Sequence, residues 1–190
     1  MKHTKLQLLM LLMAWLTIGA YAQTNRLYIP DIRMSRGSEG SLSVFMENAD
    51  EVTAVEFTLE VPSGFTINPA MVILSDRVKD HQITGRTLKN GKYKFVLMSP
   101  TNETIKGMAG LLLSMQIKAA ETLTDETDYP IVVSDAVMSR KTGENVLQEI
   151  SSGTITIKSL PNLHVVSLEC SDPVADTEMT VTWKVRNDDS

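Results

Sequence analysis

The chain has 190 residues, with 18 basic and 23 acidic side chains, a net charge of −5 at neutral pH and one cysteine. An acidic chain without a basic run offers nothing to a phosphate backbone, which excludes nucleic-acid partners. A single cysteine excludes an internal disulfide, so a packed core has to hold the fold.

In chain order, the first element is a secretory leader over residues 1–22. Lys2, His3 and Lys5 give a basic start, Leu8 to Ala20 an apolar stretch, and Ala20-Tyr21-Ala22 a small-x-small cleavage site. The apolar run is short for a membrane span, and no later segment is apolar enough to be one. Cleavage after Ala22 removes Lys2 and Lys5, which takes the net charge from −5 to −7. The leader places the protein outside the cytoplasm: secreted, periplasmic or on a bacterial cell surface.

Short strands fill most of the chain after the leader. The patterning predicts them over 27–32, 41–48, 52–61, 65–67, 71–74, 82–88, 92–98, 110–118, 131–138, 145–150 and 153–158, with Gly, Pro, Asn or Asp in the breaks. The clearest is VTAVEFTLEVPSGF, residues 52–65. Thr53, Val55, Phe57, Leu59 and Val61 fall at period two, and Ala54, Glu56, Thr58 and Glu60 alternate with them. That is a strand with one face to a core and one to water. Pro62, Ser63 and Gly64 end it with turn chemistry.

Leu42, Val44 and Met46 share a face, as do Tyr93, Phe95 and Leu97. Leu111, Leu113, Met115 and Ile117 are spaced for one buried face, with Leu112, Ser114, Gln116 and Lys118 opposite. Asn90-Gly91, between Thr87 and Tyr93, signals a hairpin. Residues 119–128, rich in Glu and Thr, read as an extended loop. Many short strands at this spacing make an all-β sandwich.

The pattern breaks at 159–162, a polar joint carrying Pro161, and alternation restarts at Leu163. Met179, Val181, Trp183 and Val185 share a face. Pro161, Leu163 and Val165, then Val181, Trp183, Val185 and Asn187, resemble the opening of an Ig-like module of bacterial surface proteins. Residues 163–190 therefore read as the truncated start of a second, Ig-like β-sandwich in a longer multidomain protein, since about 100 residues complete one. The alternative is a hairpin packed on the first domain. Cys170 reads as a small buried strand residue.

The resemblance over 27–158 is broader. The Val55/Phe57/Leu59 strand with its Pro62…Gly64-Phe65 turn is similar to the signature strand of cohesin-like domains, whose superfamily includes carbohydrate-binding modules. The segment Ile105, Gly107, Gly110, Leu111, Leu112, Met115, Ile117 and the closing Gly153-Thr154-Ile155-Thr156-Ile157 also resemble that family. The resemblance implies a cohesin-like β-sandwich of jelly-roll type over 23–158 that binds and does not catalyse. In cohesins the partner is a dockerin, held on the outward face of one sheet. Here that partner-binding face would comprise Ala54, Glu56 and Thr58, then Thr87, then Val96, Met98 and Ser99. Where the family often has Asn-x-Asp, this chain has Ala54-x-Glu56. With Phe95 and Leu97 in the core, Val96 and Met98 point outward, and apolar surface left outside makes an interaction patch. The alternative is a loop covering both.

Chemistry is sparse. After the leader the histidines are His81 and His164, in different modules, and His81 in DRVKDH reads as a solvated surface residue. There is no zinc-type His/Cys spacing and no D-x-D-x-D-G loop. Asp125, Glu126 and Asp128, like Asp172, Asp176 and Glu178, read as solvated acidic loops. No catalytic residue, metal or cofactor is expected. Sugar binding needs aromatic platforms, and residues 23–158 contain no Trp. Tyr93 alternates with Phe95 and reads as core. Tyr129, before Pro130, reads as exposed and is the candidate carbohydrate-binding residue. The expected function is a secreted, non-catalytic module for protein–protein adhesion or scaffolding, with a dockerin-like or other surface protein as partner. The alternative is a carbohydrate-binding module of an extracellular polysaccharide-degrading protein, with a polysaccharide as ligand.

Overall fold

The alternation of β4 (Ala54–Glu60) builds the centre of the fold. In the computed structural model, which describes residues 24–159, 163–170 and 179–187, Val55, Phe57 and Leu59 are wholly buried. The leader, residues 160–162, and Asp172, Asp176 and Glu178 lie outside the described residues. β7 (Lys92–Met98) pairs antiparallel with β4 and sets Phe95 directly opposite Phe57. The two rings stack with centroids 5.2 Å apart. Burying a side chain of this kind contributes about 1.5–3 kcal/mol.

Nine further strands complete the same sandwich: β1 (Arg26–Tyr28), β2 (Ile32–Met34), β3 (Glu39–Glu47), β5 (Phe65–Leu74), β6 (Gln82–Thr87), β8 (Ala109–Ala119), β9 (Thr127–Ser139), β10 (Glu149–Ser151) and β11 (Gly153–Ile157). One sheet has the order β10-β1-β3-β8-β5, the other β2-β11-β9-β4-β7-β6. Leu42, Val44 and Met46 of β3 and Met115 and Ile117 of β8 face Phe57, Phe95, Ile131 and Ile155 across the core. β12 (Leu163–Cys170) and β13 (Val181–Asn187) form a separate antiparallel pair. No helix among the described residues is long and apolar enough to cross a membrane.

Several expected boundaries shift, each for a local reason. The strand expected over 27–32 is two strands in different sheets, broken at Pro30, which has no N–H for a ladder. The closing strand changes sheets beside it. β1 pairs parallel with β10, and β2 with β11. Ile29 N donates to Ser151 O at 3.1 Å where the two crossings meet.

β8 departs from strict alternation. Val44 pairs with Leu113 but Phe45 with Leu111, so a bulge inserts Leu112, which is fully buried. Leu111, expected inside, turns outward, and Leu112, expected outside, is core. β5 pairs with β8 at 65–67 and again at 72–74, as the two short strands expected there. Between them Pro69 swings over Gly85 of β6, covering an edge that would otherwise stay unpaired.

β9 starts at Thr127, earlier than expected, and of the strand expected over 145–150 only Glu149–Ser151 forms a ladder. The Asn90-Gly91 turn forms with both residues left-handed, at φ 59° and 70°. Cys170 is an exposed free thiol and not a buried one, since its sheet has two strands among the described residues.

Candidate interaction face

Strand alternation that points Val55, Phe57 and Leu59 inward points Ala54, Glu56, Thr58 and Glu60 outward. Register extends this face across four strands. One row is Ser139–Ala54–Met98–Gln82, the next Val137–Glu56–Val96–Thr84, and the third Ser134–Thr58–Lys94–Arg86. Val132, Glu60 and Lys92 start a fourth.

The face divides into two halves. In the first two rows Ala54, Val96, Val137 and Met98 make an apolar surface. Met98 is 52% exposed, so no loop covers it. Charge begins with Glu56 in the second row and continues through the remaining rows. Lys92 Nζ lies 3.0 Å from Glu60 Oε2, and Lys94 pairs with Glu56. Arg86 has no ion-pair partner among the described residues. It borders a shallow depression of about 190 Å³ with Thr84, Lys94 and Val96.

Of the residues expected on this face, Ala54, Glu56, Thr58, Val96 and Met98 lie together on it, although Thr58 is only 3% exposed between Lys94 and Ser134. Two do not lie on it. Thr87 pairs with the buried Tyr93 and so has the parity of the core side. Ser99, after the strand end, is 7% exposed and organises a turn: its Oγ accepts from Glu103 N at 2.8 Å and from Thr101 N at 3.3 Å. Gln82, Thr84 and Arg86 of β6 and Val132, Val137 and Ser139 of β9 were not anticipated. The β6 residues could have been found by counting back from Asn90-Gly91, since that turn sets Thr87 against Tyr93 and hence Thr84 against Val96. The β9 residues could not, because a bulge at Asp135 (φ 47°) shifts their parity.

Tyr129 is not an exposed platform. It faces inward beside Ile155, packs edge-on against Phe65 with centroids 5.3 Å apart, and accepts a hydrogen bond from Thr124 N at 3.1 Å. The neighbouring acidic residues are engaged rather than free. Asp125 lies 3.6 Å from Arg36, Glu126 pairs with Lys158, and Asp128 accepts from Thr156 Oγ1 at 2.6 Å. Among the described residues no three His, Cys, Asp or Glu side chains come together as metal ligands would.

At its Ala54–Met98 end the face meets a buried polar cluster. Thr53 is 5% exposed, and its carbonyl accepts from Ser99 N at 3.2 Å. His81, one residue before β6, is 6% exposed, not solvated, and neither ring nitrogen has a partner at hydrogen-bond geometry. Burial pushes its pKa below the ordinary histidine value, against the pull of the Asp80 and Glu103 carboxylates and the main-chain groups of Thr53 and Glu103.

Arg77 ties the neighbouring loops together. Its guanidinium donates to Lys106 O at 2.7 Å, Met46 O at 2.9 Å, Gly110 O at 3.0 Å and Asn48 Oδ1 at 2.6 Å. These acceptors are all neutral, so the group is a brace and not half of an ion pair.

No family model matches the sequence, and no curated protein matches it. Solved cohesins do match in structure. A non-cellulosomal cohesin from the archaeon Archaeoglobus fulgidus is 18% identical, with 72% of this chain and 92% of that one covered and a TM-score of 0.60. The sixth cohesin of scaffoldin B from Acetivibrio cellulolyticus, solved in complex with a dockerin, is 14% identical over 71% of this chain and 99% of its own, with a TM-score of 0.61. A type I cohesin–dockerin complex from Clostridium thermocellum gives 14%, 70%, 99% and 0.62. At these identities the likeness establishes the fold: the chain is an all-β, cohesin-like sandwich.

Proposed function

We propose that the protein is a secreted or cell-surface, non-catalytic module that binds a protein partner on the outer face of β9, β4, β7 and β6. The observation that carries this reading is the open apolar half of the face, Met98 with Val96, Val137 and Ala54, set beside charge. Exposed apolar surface rimmed by polar groups is what protein partners cover. Arg86, free of an ion pair among the described residues, would take a carboxylate of that partner. Cohesins solved with dockerins add support for a protein partner. The basic, apolar and small-x-small segments of residues 1–22 support export. We read β12 and β13 as the start of an Ig-like module. A polysaccharide ligand has less support, because the Tyr129 ring and hydroxyl are already engaged.

The test is capture from the envelope and secreted fractions of the source organism, with the wild-type chain and Met98→Asp as baits. A discrete protein retained by the wild type and reduced at least about tenfold by Met98→Asp is the expected outcome. Thr87→Ala, off the face, should retain it. Equal capture by all three baits, or none by any, overturns the reading. Glycan binding lost on Tyr129→Ala would favour the polysaccharide alternative.

A further inference from the structure

We infer that His81 is a pH-sensitive latch on the segment 99–107: neutral, its ring is enclosed beneath that segment, and protonated, it drives the segment away from the end of the interaction face. The enclosure comes from three places. His81 closes the 3-10 turn Asp76–Val78, donating its main-chain N–H to Val78 O at 2.9 Å. Thr53, at the start of β4, and Glu103, in the segment, flank the ring. Two carboxylates act on it, Asp80 from its own turn and Glu103 from the segment, while Thr53 offers only main-chain groups. Asp80 is itself held by Lys106 Nζ at 2.8 Å.

A neutral imidazole can occupy such a site at modest cost, but an imidazolium brings two N–H donors and a charge. Neither ring nitrogen sits at hydrogen-bond geometry, and the nearby main-chain groups of Thr53 and Glu103 do not offset the cost of enclosing a charge. The two nearby carboxylates do not reverse this, since burial outweighs their pull. Relief is easiest on the segment side. Residues 100–104 are exposed. The segment is held by separate bonds rather than a ladder, Ser99 N to Thr53 O, Glu103 N to Ser99 Oγ, Ile105 N to Val52 O and Lys106 N to Arg77 O, with the Arg77 guanidinium on Lys106 O and Gly107 O and Ile105 as its one core anchor. β4 and β7, in contrast, sit inside a continuous sheet, and local opening selects the least supported element.

Linkage sets the sign. In the open segment the ring accepts a proton near the ordinary histidine value of about 6.5. In the closed one it does so only at lower pH. Opening therefore becomes easier as pH falls through about 6.5, by at most about tenfold per pH unit for one proton. Thr53 and Ser99 adjoin Ala54 and Met98, so acid would also loosen the apolar half of the face. That consequence rests on the proposed binding function; the latch itself does not.

Hydrogen exchange on the full chain at pH 7.5 and 5.0, expressed as protection factors, tests the latch without any partner. The expected result is at least about a fivefold loss of protection at the Glu103, Ile105 and Lys106 amides at pH 5.0, with Phe57 and Phe95 unchanged. His81→Gln, which cannot titrate, should remove the difference. Equal protection at both pH values in the wild type, or the same loss in His81→Gln, overturns the proposal. Should His81→Gln not fold, the wild-type ring can be titrated by NMR. Its midpoint must coincide with that of the segment amides, and ring protonation that leaves those amides unmoved also overturns it.

Discussion

β4 and β13 carry the same pattern and meet different fates. Val55, Phe57 and Leu59 in β4 are wholly buried, whereas Val181, Trp183 and Val185 in β13 are 38%, 64% and 43% exposed. Both sets have cross-strand partners of similar character: Phe57 faces Phe95, and Trp183 faces Leu168. The difference lies in layers. β4 has strands on both sides and a second sheet beneath it, while β13 has one neighbour among the described residues. Period-two alternation thus specifies a strand and its apolar face. Burial of that face takes a second layer, and a lone hairpin is marginal without one.

The largest expected effect tests this contrast directly. Phe57→Ala should destabilise the sandwich by about 3–5 kcal/mol in denaturant unfolding, because it empties a site that cannot collapse around stacked Phe95. Trp183→Ala should leave the same transition within about 0.5 kcal/mol. A comparable loss from Trp183→Ala would mean that the hairpin packs on the sandwich and that the contrast is false.

A smaller effect separates packed turns from open ones. Gly64 and Gly143 both have positive φ, 89° and 83°. A methyl group on Gly64 would lie 2.5 Å from Leu123 Cδ2, whereas one on Gly143 would meet nothing within 4 Å. Gly143→Ala should cost about 1–2 kcal/mol of backbone strain alone. Gly64→Ala should cost about 1 kcal/mol or more beyond that, from overpacking. Thermal unfolding of the two variants measures the difference, and equal losses would remove the role of packing.

The inward face of the sandwich is readable in the sequence because alternation is a local signal. β3, β4 and β7 have the faces expected of them. Reading fails where a non-local feature decides the outcome. The bulge in β8 exchanges Leu111 and Leu112, and Pro30 divides the first strand between two sheets, which only the parallel partners β10 and β11 explain. On the candidate site, the parity of Val96 and Met98 is legible. That of Ser99 is not, because its burial comes from the loop that folds back on it. His81 is misread for the same reason: a charged neighbourhood in sequence says nothing about its burial or about Glu103, from a distant loop, coming close to the ring.

The smallest expected effects concern the outward side of the strands that make the core. Lys92 and Glu60 are each 43% exposed, and a pair at that exposure contributes little once side-chain entropy and solvent screening are counted. Lys92→Ala should therefore shift stability by less than about 0.5 kcal/mol. Met98→Asp should do much the same, since half of that side chain already meets water. Its neighbour Leu97, wholly buried one residue away, sets the scale: Leu97→Ala should cost about 2–5 kcal/mol. If urea unfolding shows Met98→Asp losing more than about 1 kcal/mol, the side chain supports the fold, and its effect on capture could no longer be read as contact with a partner. If the loss stays small, the two sides of β7 are separable. Leu97 then acts in the core and Met98 is available for recognition.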